Sequence, residues 1–375
     1  MILVVGGGIF GATAALALAR RGRDVTLVSP HPLPHPRAAT TDISKIVRMD
    51  YGADALYTDL MARALPLWER DPLYHPDGFL ILSRNALLPG GFEHDSFATL
   101  TRRGHPLTRM NPTRLRQSHP AWNADGYPDG YHNPRAGWAN SGAVLARTLA
   151  EAVEAGVQLV EAQVTGLLGG DVVTGVRTAS GLRITASTVL VATGAWTTKL
   201  LPSLSGLLAP TAQPVLHFRP HDPERYTAPA FPTWAADIST TGWYGFPVNA
   251  DGILKVANHG PGIRLDPDAP RDVGPQVEPM FRAFLAGTFP SLARAPLVES
   301  RLCLYSDSID GDFLIDRHPT RSGLLVAAGG SGHGFKFAPI LGDLIADVVQ
   351  GAAPIPRFAW RTPGQRKTEQ ARCNA

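Results

Sequence analysis

The chain has 375 residues, 44% of them hydrophobic, and a formal charge of +3 at pH 7. This length exceeds what one hydrophobic core usually holds, and the apolar share is ample for two cores. The 35 basic residues are scattered without a run or stripe, which argues against nucleic acid as a partner, and no stretch approaches the roughly 18 uninterrupted apolar residues of a membrane span.

Cysteine use and the start of the chain predict a cytoplasmic protein. Cys303 and Cys373 are the two cysteines of the sequence, so no disulfide framework is expected, which suits a reducing compartment. The chain begins directly on a strand pattern, which leaves no room for a charged leader. Cys373 lies in a polar tail, residues 363–375, and is expected to be frayed.

The first thirty residues predict a strand, a helix and a second strand. Residues 1–5 are an apolar run of strand type. Residues 9–20 are rich in Ala and Leu, which favour helix, and Gly22 can cap that helix. Residues 24–28 supply the second strand. Such a unit, with a glycine-rich turn between strand and helix, is typical of dinucleotide-binding proteins.

That turn carries Gly6, Gly8 and Gly11 in the spacing Gly-x-Gly-x-x-Gly. Gly6 permits a tight turn, Gly8 lets the backbone approach a pyrophosphate, and Gly11 lets helix and strand pack closely. The amides at the helix start then hold the phosphates. Ser29 stands where this motif commonly offers an acidic side chain to the ribose, and its hydroxyl gives a weaker, neutral contact.

The middle of the chain alternates between helix and strand patterns. Four prolines predict a loop over residues 29–36, which brings residues 40–48 to the cofactor. Helices are predicted over 56–68, 143–155 and 337–350, and strands over 157–167, 182–192 and 252–256. Short strand patterns are expected over 73–135 and 210–300.

These elements predict an α/β fold of two domains. Residues 1–72, 136–208 and 300–362 form a discontinuous Rossmann-like FAD-binding domain, and residues 73–135 and 209–299 form a substrate domain built on an antiparallel sheet.

Three motifs in the last third of the chain are its most distinctive sequence features. Arg301-Leu302-Cys303-Leu304-Tyr305 is followed by the strand Asp312-Phe313-Leu314-Ile315-Asp316, and then by Gly329-Gly330-Ser331-Gly332-His333-Gly334-Phe335-Lys336. Together with the opening glycines, these motifs resemble the family of monomeric sarcosine oxidase, fructosyl-amino-acid oxidase (amadoriase) and pipecolate/saccharopine oxidase, within the D-amino-acid oxidase-like superfamily. The resemblance covers nearly the whole chain in order.

The resemblance implies roles for individual residues. Cys303 matches the cysteine that carries FAD as a thioether. Lys255 matches a lysine beside the flavin ring that aids reaction with oxygen, and Lys336 matches one that pairs with the substrate carboxylate. Arg48 matches an arginine of the substrate pocket. Other pocket positions are matched by Lys45, which is lysine in fructosyl-amino-acid oxidases, and by His259 and Tyr305.

The expected flavin contacts combine the motifs and the resemblance. They are Gly6, Gly8, Ile9, Phe10, Gly11, Ser29, Lys45, Val164, Thr193, Gly194, Trp196, Cys303, Gly330, Gly332, His333, Gly334 and Lys336. No metal site is expected, because His31 and His35 stand between prolines without a ligand spacing.

Plainer interpretations of these residues stay open at this point. Cys303 would also suit a small buried hydrophobe, and Lys255 a solvent-facing lysine. Lys45 and Arg48 would also suit surface ion pairs with Asp50 or with the helix that follows.

The sequence predicts an oxidase of secondary amines. FAD takes a hydride from the carbon next to the nitrogen of a substrate that carries a carboxylate, water hydrolyses the imine, and O2 regenerates FAD and yields H2O2. The alternatives are a pipecolate/saccharopine, D-amino-acid or glycine oxidase, a flavin dehydrogenase with another acceptor, and a nicotinamide-dependent dehydrogenase. The last explains only the opening glycines. Monomer and dimer are not distinguished.

Overall fold

The computed structural model describes residues 1–362, so the predicted tail and Cys373 lie outside the described residues. The helices are α1 (Ile9–Arg20), α2 (Ala55–Trp68), α3 (Phe92–Arg102), α4 (Pro112–Ser118), α5 (Ser141–Glu154), α6 (Thr197–Leu200), α7 (Val277–Thr288) and α8 (Ala338–Val349).

The first strands are β1 (Ile2–Val5), β2 (Val25–Ser29), β3 (Lys45–Val47), β4 (Tyr74–His75), β5 (Phe79–Ser83), β6 (Thr108–Met110), β7 (Asp129–Asn133), β8 (Gly137–Ala139), β9 (Gln158–Glu161) and β10 (Val164–Leu168). The others are β11 (Gly175–Thr178), β12 (Arg183–Thr185), β13 (Thr188–Val191), β14 (Leu208–Phe218), β15 (Thr233–Ala236), β16 (Trp243–Gly245), β17 (Leu254–Asn258), β18 (Ile263–Arg264), β19 (Leu297–Ser308), β20 (Leu314–Arg317) and β21 (Leu324–Ala328).

A six-stranded sheet forms the first layer, in the order β20-β21-β13-β1-β2-β9. Its strands pair in parallel except at the β20 edge. Both faces are covered, which explains why β1 reads as an unbroken apolar run and why all five residues of β2 are buried. Val4 faces a core shared with α1, α5 and α8. Leu3 and Val5 face the opposite core, which includes residues of β11 and of the segment 201–208.

A nine-stranded sheet, largely antiparallel, forms the second large layer. One face packs on α4 and α7 in a core rich in aromatic side chains, among them Trp122, Trp234 and Phe289. Alternate residues of β5 point to the two faces, so Leu80 lies in this core while Phe79 and Ile81 lie on the other side. That other side borders the candidate site.

The sequence predictions need correction in several segments. Residues 73–135 contain α3 and α4, and residues 210–300 contain α7, in addition to the expected strands. Residues 157–167 and 182–192 each hold two strands rather than one. Helix α3 has a weakly apolar sequence with two threonines, and α7 carries Pro279 and two phenylalanines, so tertiary packing rather than propensity fixes these helices.

Alternation of parallel strands with α1, α5 and α8 beside a second, largely antiparallel sheet confirms the predicted α/β class. The residue boundaries of the two domains stay a prediction. Strand β19 runs across residue 300, and it pairs with β14 along most of its length.

Candidate active site

A cavity of about 940 Å³ lies where the two large sheets meet. Its lining includes the carboxyl ends of β1, β2 and β13 from the first sheet, and residues of β5, β15, β16, β17 and β19 from the second. The carboxyl ends of parallel strands are where α/β proteins bind nucleotides. The volume is at the upper end of the range for ligand pockets, so a large ligand fits.

The three opening glycines are each required for a different reason. Gly6 has a φ of +111°, and a Cβ there would lie 2.5 Å from the carbonyl oxygen of Ala192. A Cβ on Gly11 would lie 1.9 Å from the carbonyl oxygen of Gly6. A Cβ on Gly8 would meet no atom within 4 Å, because this residue faces the cavity at the start of α1. These residues therefore fit a pyrophosphate: two glycines close the turn, and the third leaves room for a ligand.

Other predicted cofactor contacts also line the cavity. Ser29 ends β2 and is buried, and Val164, Thr193 and Gly194 belong to the lining with it. Trp196 lines it as well, and its indole nitrogen donates to Asp268 Oδ1 at 2.7 Å.

The second glycine loop packs against aromatic rings. A Cβ on Gly334 would lie 2.7 Å from the ring of Phe10, and one on Gly332, whose φ is +75°, would lie 2.4 Å from the ring of Tyr305. His333 is held through both ring nitrogens, by the Tyr51 hydroxyl at 3.0 Å and by the Gly311 carbonyl at 2.9 Å. The loop thus brings backbone to the cavity surface where a side chain would block it.

Lys255 forms a buried ion pair with Asp42. Its Nζ donates to Asp42 Oδ2 at 2.7 Å and to the Ser44 carbonyl at 2.6 Å, and the two side chains are 1% and 0% exposed. Burial, only partly opposed by Asp42, lowers the pKa of Lys255 to about 8. Burial would raise the pKa of Asp42, but the charges of Lys255, Lys45 and Arg301 outweigh it and hold that pKa well below its usual value. The interpretation of Lys255 as a solvent-facing lysine is therefore wrong.

Lys45 joins this pair to Cys303. Its Nζ donates to Asp42 Oδ2 at 3.1 Å and lies 3.9 Å from Cys303 Sγ. Burial opposes the charge of Lys45, yet Cys303 and Asp42 raise its pKa. Cys303 is 2% exposed, and its sulfur also lies 3.9 Å from the Ala39 carbonyl. Lys45 and Ala39 line the cavity, so the thiol lies directly behind the wall that they form.

Arg48 and Lys336 lie beside the ring of Tyr51. The Arg48 Cζ is 5.3 Å and the Lys336 Nζ 5.0 Å from the ring centroid, and Lys336 also donates to the Tyr51 hydroxyl at 3.1 Å. The Nη1 of Arg48 is buried and has no hydrogen-bond partner among residues 1–362. Two cations that both lie beside Tyr51 and line the cavity favour an anionic ligand, and a carboxylate matches the guanidinium.

Asp50 is not an ion-pair partner of Lys45 or Arg48. Its buried carboxylate accepts hydrogen bonds from the Tyr131 hydroxyl at 2.7 Å and from Asn133 Nδ2 at 3.2 Å. The predicted alternative of surface pairs for Lys45 and Arg48 is therefore wrong, because Lys45 pairs with the buried Asp42 instead.

His259 and Tyr305 lie together in the cavity wall, with ring centroids 5.7 Å apart. The Tyr305 hydroxyl lies 3.5 Å from that of Tyr244, which burial gives a raised pKa of about 12. The Tyr244 phenol is therefore neutral near pH 7 and serves as a hydrogen-bonding group.

The structure brings the predicted residues into one site, with two in supporting positions. Gly11 packs beneath the opening turn and Cys303 lies behind the wall, while all the others line the cavity. Sequence reasoning missed Asp42, Tyr51 and Tyr244. Asp42 precedes the predicted Lys45 in the sequence, and Tyr51 follows the predicted Arg48. Closeness in sequence to these two predicted residues was the signal that could have found them.

Residues 1–362 contain neither a membrane-spanning helix nor a metal-binding cluster of side chains. No helix in that range is long and apolar enough to cross a membrane. Nor do its His, Cys, Asp and Glu side chains form a group of three or more that could hold a metal ion.

Comparison with known proteins identifies the family. A family model described as FAD dependent oxidoreductase matches residues 1–348. The chain is 30% identical to monomeric sarcosine oxidase of Bacillus sp. (strain NS-129), over 92% of each protein. It is 28% identical to N-methyl-L-tryptophan oxidase of Salmonella heidelberg (strain SL476), over 94% of this chain and 95% of that protein.

A solved structure gives the same answer. Fructosyl amine: oxygen oxidoreductase (Amadoriase I) from Aspergillus fumigatus superimposes with a TM-score of 0.80 at 29% identity, over 96% of this chain and 89% of that one. The chain therefore belongs to the FAD-dependent oxidoreductase family. The predicted resemblance and fold class are confirmed, and the protein is a flavoprotein oxidoreductase.

Proposed function

We propose that the protein is an oxidase of secondary amines that carry a carboxylate, such as N-methyl or N-fructosyl amino acids, and that it uses O2 and releases H2O2. One observation carries the proposal: Lys255, Arg48 and Lys336 line the same cavity as the glycine cradle, and Asp42 is paired with Lys255 behind that lining. The named relatives, a sarcosine oxidase, an N-methyl-L-tryptophan oxidase and a fructosyl amine oxidoreductase, support this substrate class.

The cradle residues would hold FAD, which supplies a hydride acceptor when bound. Gly6, Gly8 and the amides at the start of α1 would take the pyrophosphate. The glycine loop 329–334 and the start of α8 would lie against the ring system. The positive end of that helix favours negative charge there, which lowers the cost of accepting a hydride.

Arg48 and Lys336 would orient the substrate. A carboxylate between the two cations satisfies the buried Nη1 of Arg48 and anchors the amino acid end. The substrate nitrogen then reacts in its neutral form, because a protonated nitrogen has no lone pair to stabilise the developing cation.

Lys255 would assist the oxygen step. An ammonium fixed in a buried site stabilises the negative charge that develops on O2 as it takes up electrons. Asp42 and the Ser44 carbonyl hold the ammonium in place, so little reorganisation is needed during the reaction.

Cys303 would attach FAD as a thioether. Its sulfur lies behind the side chain of Lys45, whose ammonium is the nearest positive charge to a thiolate. The Lys45 side chain would have to move aside before the edge of the flavin ring could reach the sulfur. Asp42 would remain the ion-pair partner of Lys45 during this movement.

Acid precipitation and a peroxide screen test the proposal together. The purified protein is denatured in acid and spun, and flavin absorbance that stays with the pellet supports the covalent link. Peroxide release is then measured with sarcosine, N-methyl-L-tryptophan, fructosyl-glycine, fructosyl-valine and pipecolate, with the unmethylated amino acids as controls. Substrate-driven bleaching without peroxide would contradict the oxidase assignment, and activity confined to primary amines would contradict the substrate class.

A further inference from the structure

Three charged or titratable residues lie in a row across the nine-stranded sheet. Strand β14 lies between β17 and β19, and His217 of β14 is directly opposite Lys255 on one side and Glu299 on the other. Directly opposite residues of antiparallel strands point to the same face. The row therefore runs from the cavity wall, at Lys255, to the edge of the sheet at Glu299.

The contacts along this row connect solvent to the buried ion pair. Glu299 Oε2 lies 3.0 Å from His217 Nδ1, and the two side chains are 55% and 4% exposed. His217 Nε2 lies 3.9 Å from Asp42 Oδ1, while the other oxygen of Asp42 accepts the hydrogen bond from Lys255. The path thus begins at an exposed carboxylate and ends at an ammonium in the cavity wall.

The inner nitrogen of His217 is the unusual feature. It is buried and has no hydrogen-bond partner within the described part of the chain. Buried polar atoms are nearly always satisfied, so an exception at this position needs an explanation. At 3.9 Å the gap to Asp42 is too long for a direct hydrogen bond, but a bridging water or a small rotation of the ring closes it.

The proposed reaction has to move protons between solvent and the cavity. Reduction of O2 to H2O2 takes two electrons and two protons, and the hydride that leaves the substrate carbon accounts for both electrons and one proton. The second proton has to enter the cavity. Conversely, an amine that arrives as an ammonium has to release one proton before its hydride leaves, so each turnover moves one proton in and one out.

We infer that Glu299, His217 and Asp42 form a proton path between solvent and Lys255, an inference that rests on the proposed oxidase function. A neutral imidazole carries one donor and one acceptor nitrogen, so it takes up a proton at one and releases one at the other. His217, Glu299 and Asp42 are positioning and proton-transfer groups, whereas Lys255 lines the cavity and would face the reacting oxygen.

The charges around His217 suit this role. Burial and the charge of Lys255 lower the pKa of His217, and the carboxylates of Asp42 and Glu299 oppose that effect. Its ring is therefore neutral near pH 7 and available to accept a proton. Asp42 also faces Lys45 and Arg301, which favour its ionised form, so it passes a proton on to Lys255 rather than retaining it.

The first test avoids the substrate altogether. The holoenzyme is reduced with light under anaerobic conditions and mixed with O2, and flavin reoxidation is followed in H2O and in D2O. His217→Gln and Glu299→Gln are compared with wild type, and His221→Gln and Glu224→Gln, both exposed, are the matched controls. We expect His217→Gln to slow reoxidation by at least ~10-fold and to show a larger solvent isotope effect than wild type. Added imidazole should reduce both effects in this variant. Unchanged rates and isotope effects in both path variants would overturn the inference.

A second readout needs no turnover. The pKa of His217 is measured by NMR with 15N-labelled histidine, in wild type, Asp42→Asn and Glu299→Gln. Since both carboxylates raise this pKa, each variant should lower it by about 1 pH unit, whereas Glu224→Gln should not. If wild-type flavin is reoxidised no faster than free flavin, the oxidase proposal fails. The pKa of His217 then serves as the test of the connection between Glu299, His217 and Asp42. An unchanged pKa in Asp42→Asn would overturn it.

Discussion

Lys255 and Asp42 form an ion pair with an Nζ–Oδ2 distance of 2.7 Å, and both side chains are almost wholly shielded from solvent. Burying two charges costs several kcal/mol each, and their attraction offsets this only when further hydrogen bonds complete the arrangement. Here the Ser44 carbonyl and the Ile43 amide supply them. Apolar residues of similar volume would often be as stable, so the pair is better explained by chemistry at the cavity than by stability.

Replacement of Lys255 by Met should separate the two half-reactions. The variant keeps the volume of the side chain but removes the ammonium, while Lys45 still neutralises Asp42 at 3.1 Å. We expect anaerobic reduction by substrate to stay within a few-fold of wild type and reoxidation by O2 to fall by about 10²-fold or more. Stopped-flow absorbance of each half-reaction checks this. Loss of reduction with normal reoxidation would remove Lys255 from the oxygen step.

The oxygen step should depend on pH through Lys255. The pKa of this lysine is lowered to about 8 by burial, and the cationic form, which stabilises charge on oxygen, is the form present below that pKa. Reoxidation should therefore be fast at pH 6 to 7 and decline as the pH rises through about 8. Because Asp42 raises the pKa of Lys255, Asp42→Asn should move the decline to lower pH. A profile that is flat to pH 10 in wild type would show that the charge of Lys255 is not needed.

Arg48 should contribute to binding of the substrate carboxylate. A charge-assisted hydrogen bond contributes about 1.5–3 kcal/mol, so Arg48→Met should raise KM by roughly 10- to 100-fold. Arg63→Met on the exposed side of α2 is the control and should change little. The methyl ester of the substrate lacks the carboxylate charge, so wild type and Arg48→Met should have similar KM values for the ester. An equal effect of Arg48→Met on acid and ester would contradict the assignment.

Much of this site could be predicted because its parts are local in sequence. The cradle at Gly6, Gly8 and Gly11 and the loop at 329–334 depend on spacing and backbone freedom, which are visible in a single chain. Cys303, Lys255 and Lys336 followed from the resemblance.

The rest depends on contacts between distant segments. Asp42 and Lys255 are 213 positions apart, and His217 meets Glu299 only through the register of β14 with β19. Nothing in the local pattern of β14 indicates which partner strand lies on either side. Helix α7 was missed for the same reason, since Phe281 and Leu285 are fixed by the aromatic core beneath the sheet and not by helix propensity.

Gly8 and Gly11 offer a matched pair of substitutions that separates folding from cofactor binding. Alanine at Gly8 meets no protein atom within 4 Å, whereas alanine at Gly11 places its Cβ 1.9 Å from the Gly6 carbonyl. Gly8→Ala should therefore keep the stability of the apoprotein and lower its flavin content, because the methyl group occupies space that the pyrophosphate needs. Gly11→Ala should destabilise the apoprotein by about 1–3 kcal/mol. Urea unfolding of the apoproteins and flavin-to-protein absorbance ratios check both. Equal apoprotein stabilities would contradict the packing role of Gly11.

Cys303→Ala should convert covalent flavin to dissociable flavin without abolishing binding. The thioether is one bond, while the cradle, the loop 329–334 and the start of α8 supply the non-covalent contacts, so the purified variant should stay yellow at saturating FAD. Acid precipitation should then release its flavin to the supernatant, whereas wild type and the control Cys373→Ala should retain theirs in the pellet. The reduction potential of the variant should also be lower, because a thioether at the ring withdraws electron density. Retention of flavin by acid-precipitated Cys303→Ala would place the link at another residue, and free flavin in wild type would show that Cys303 serves only as a packed thiol behind Lys45.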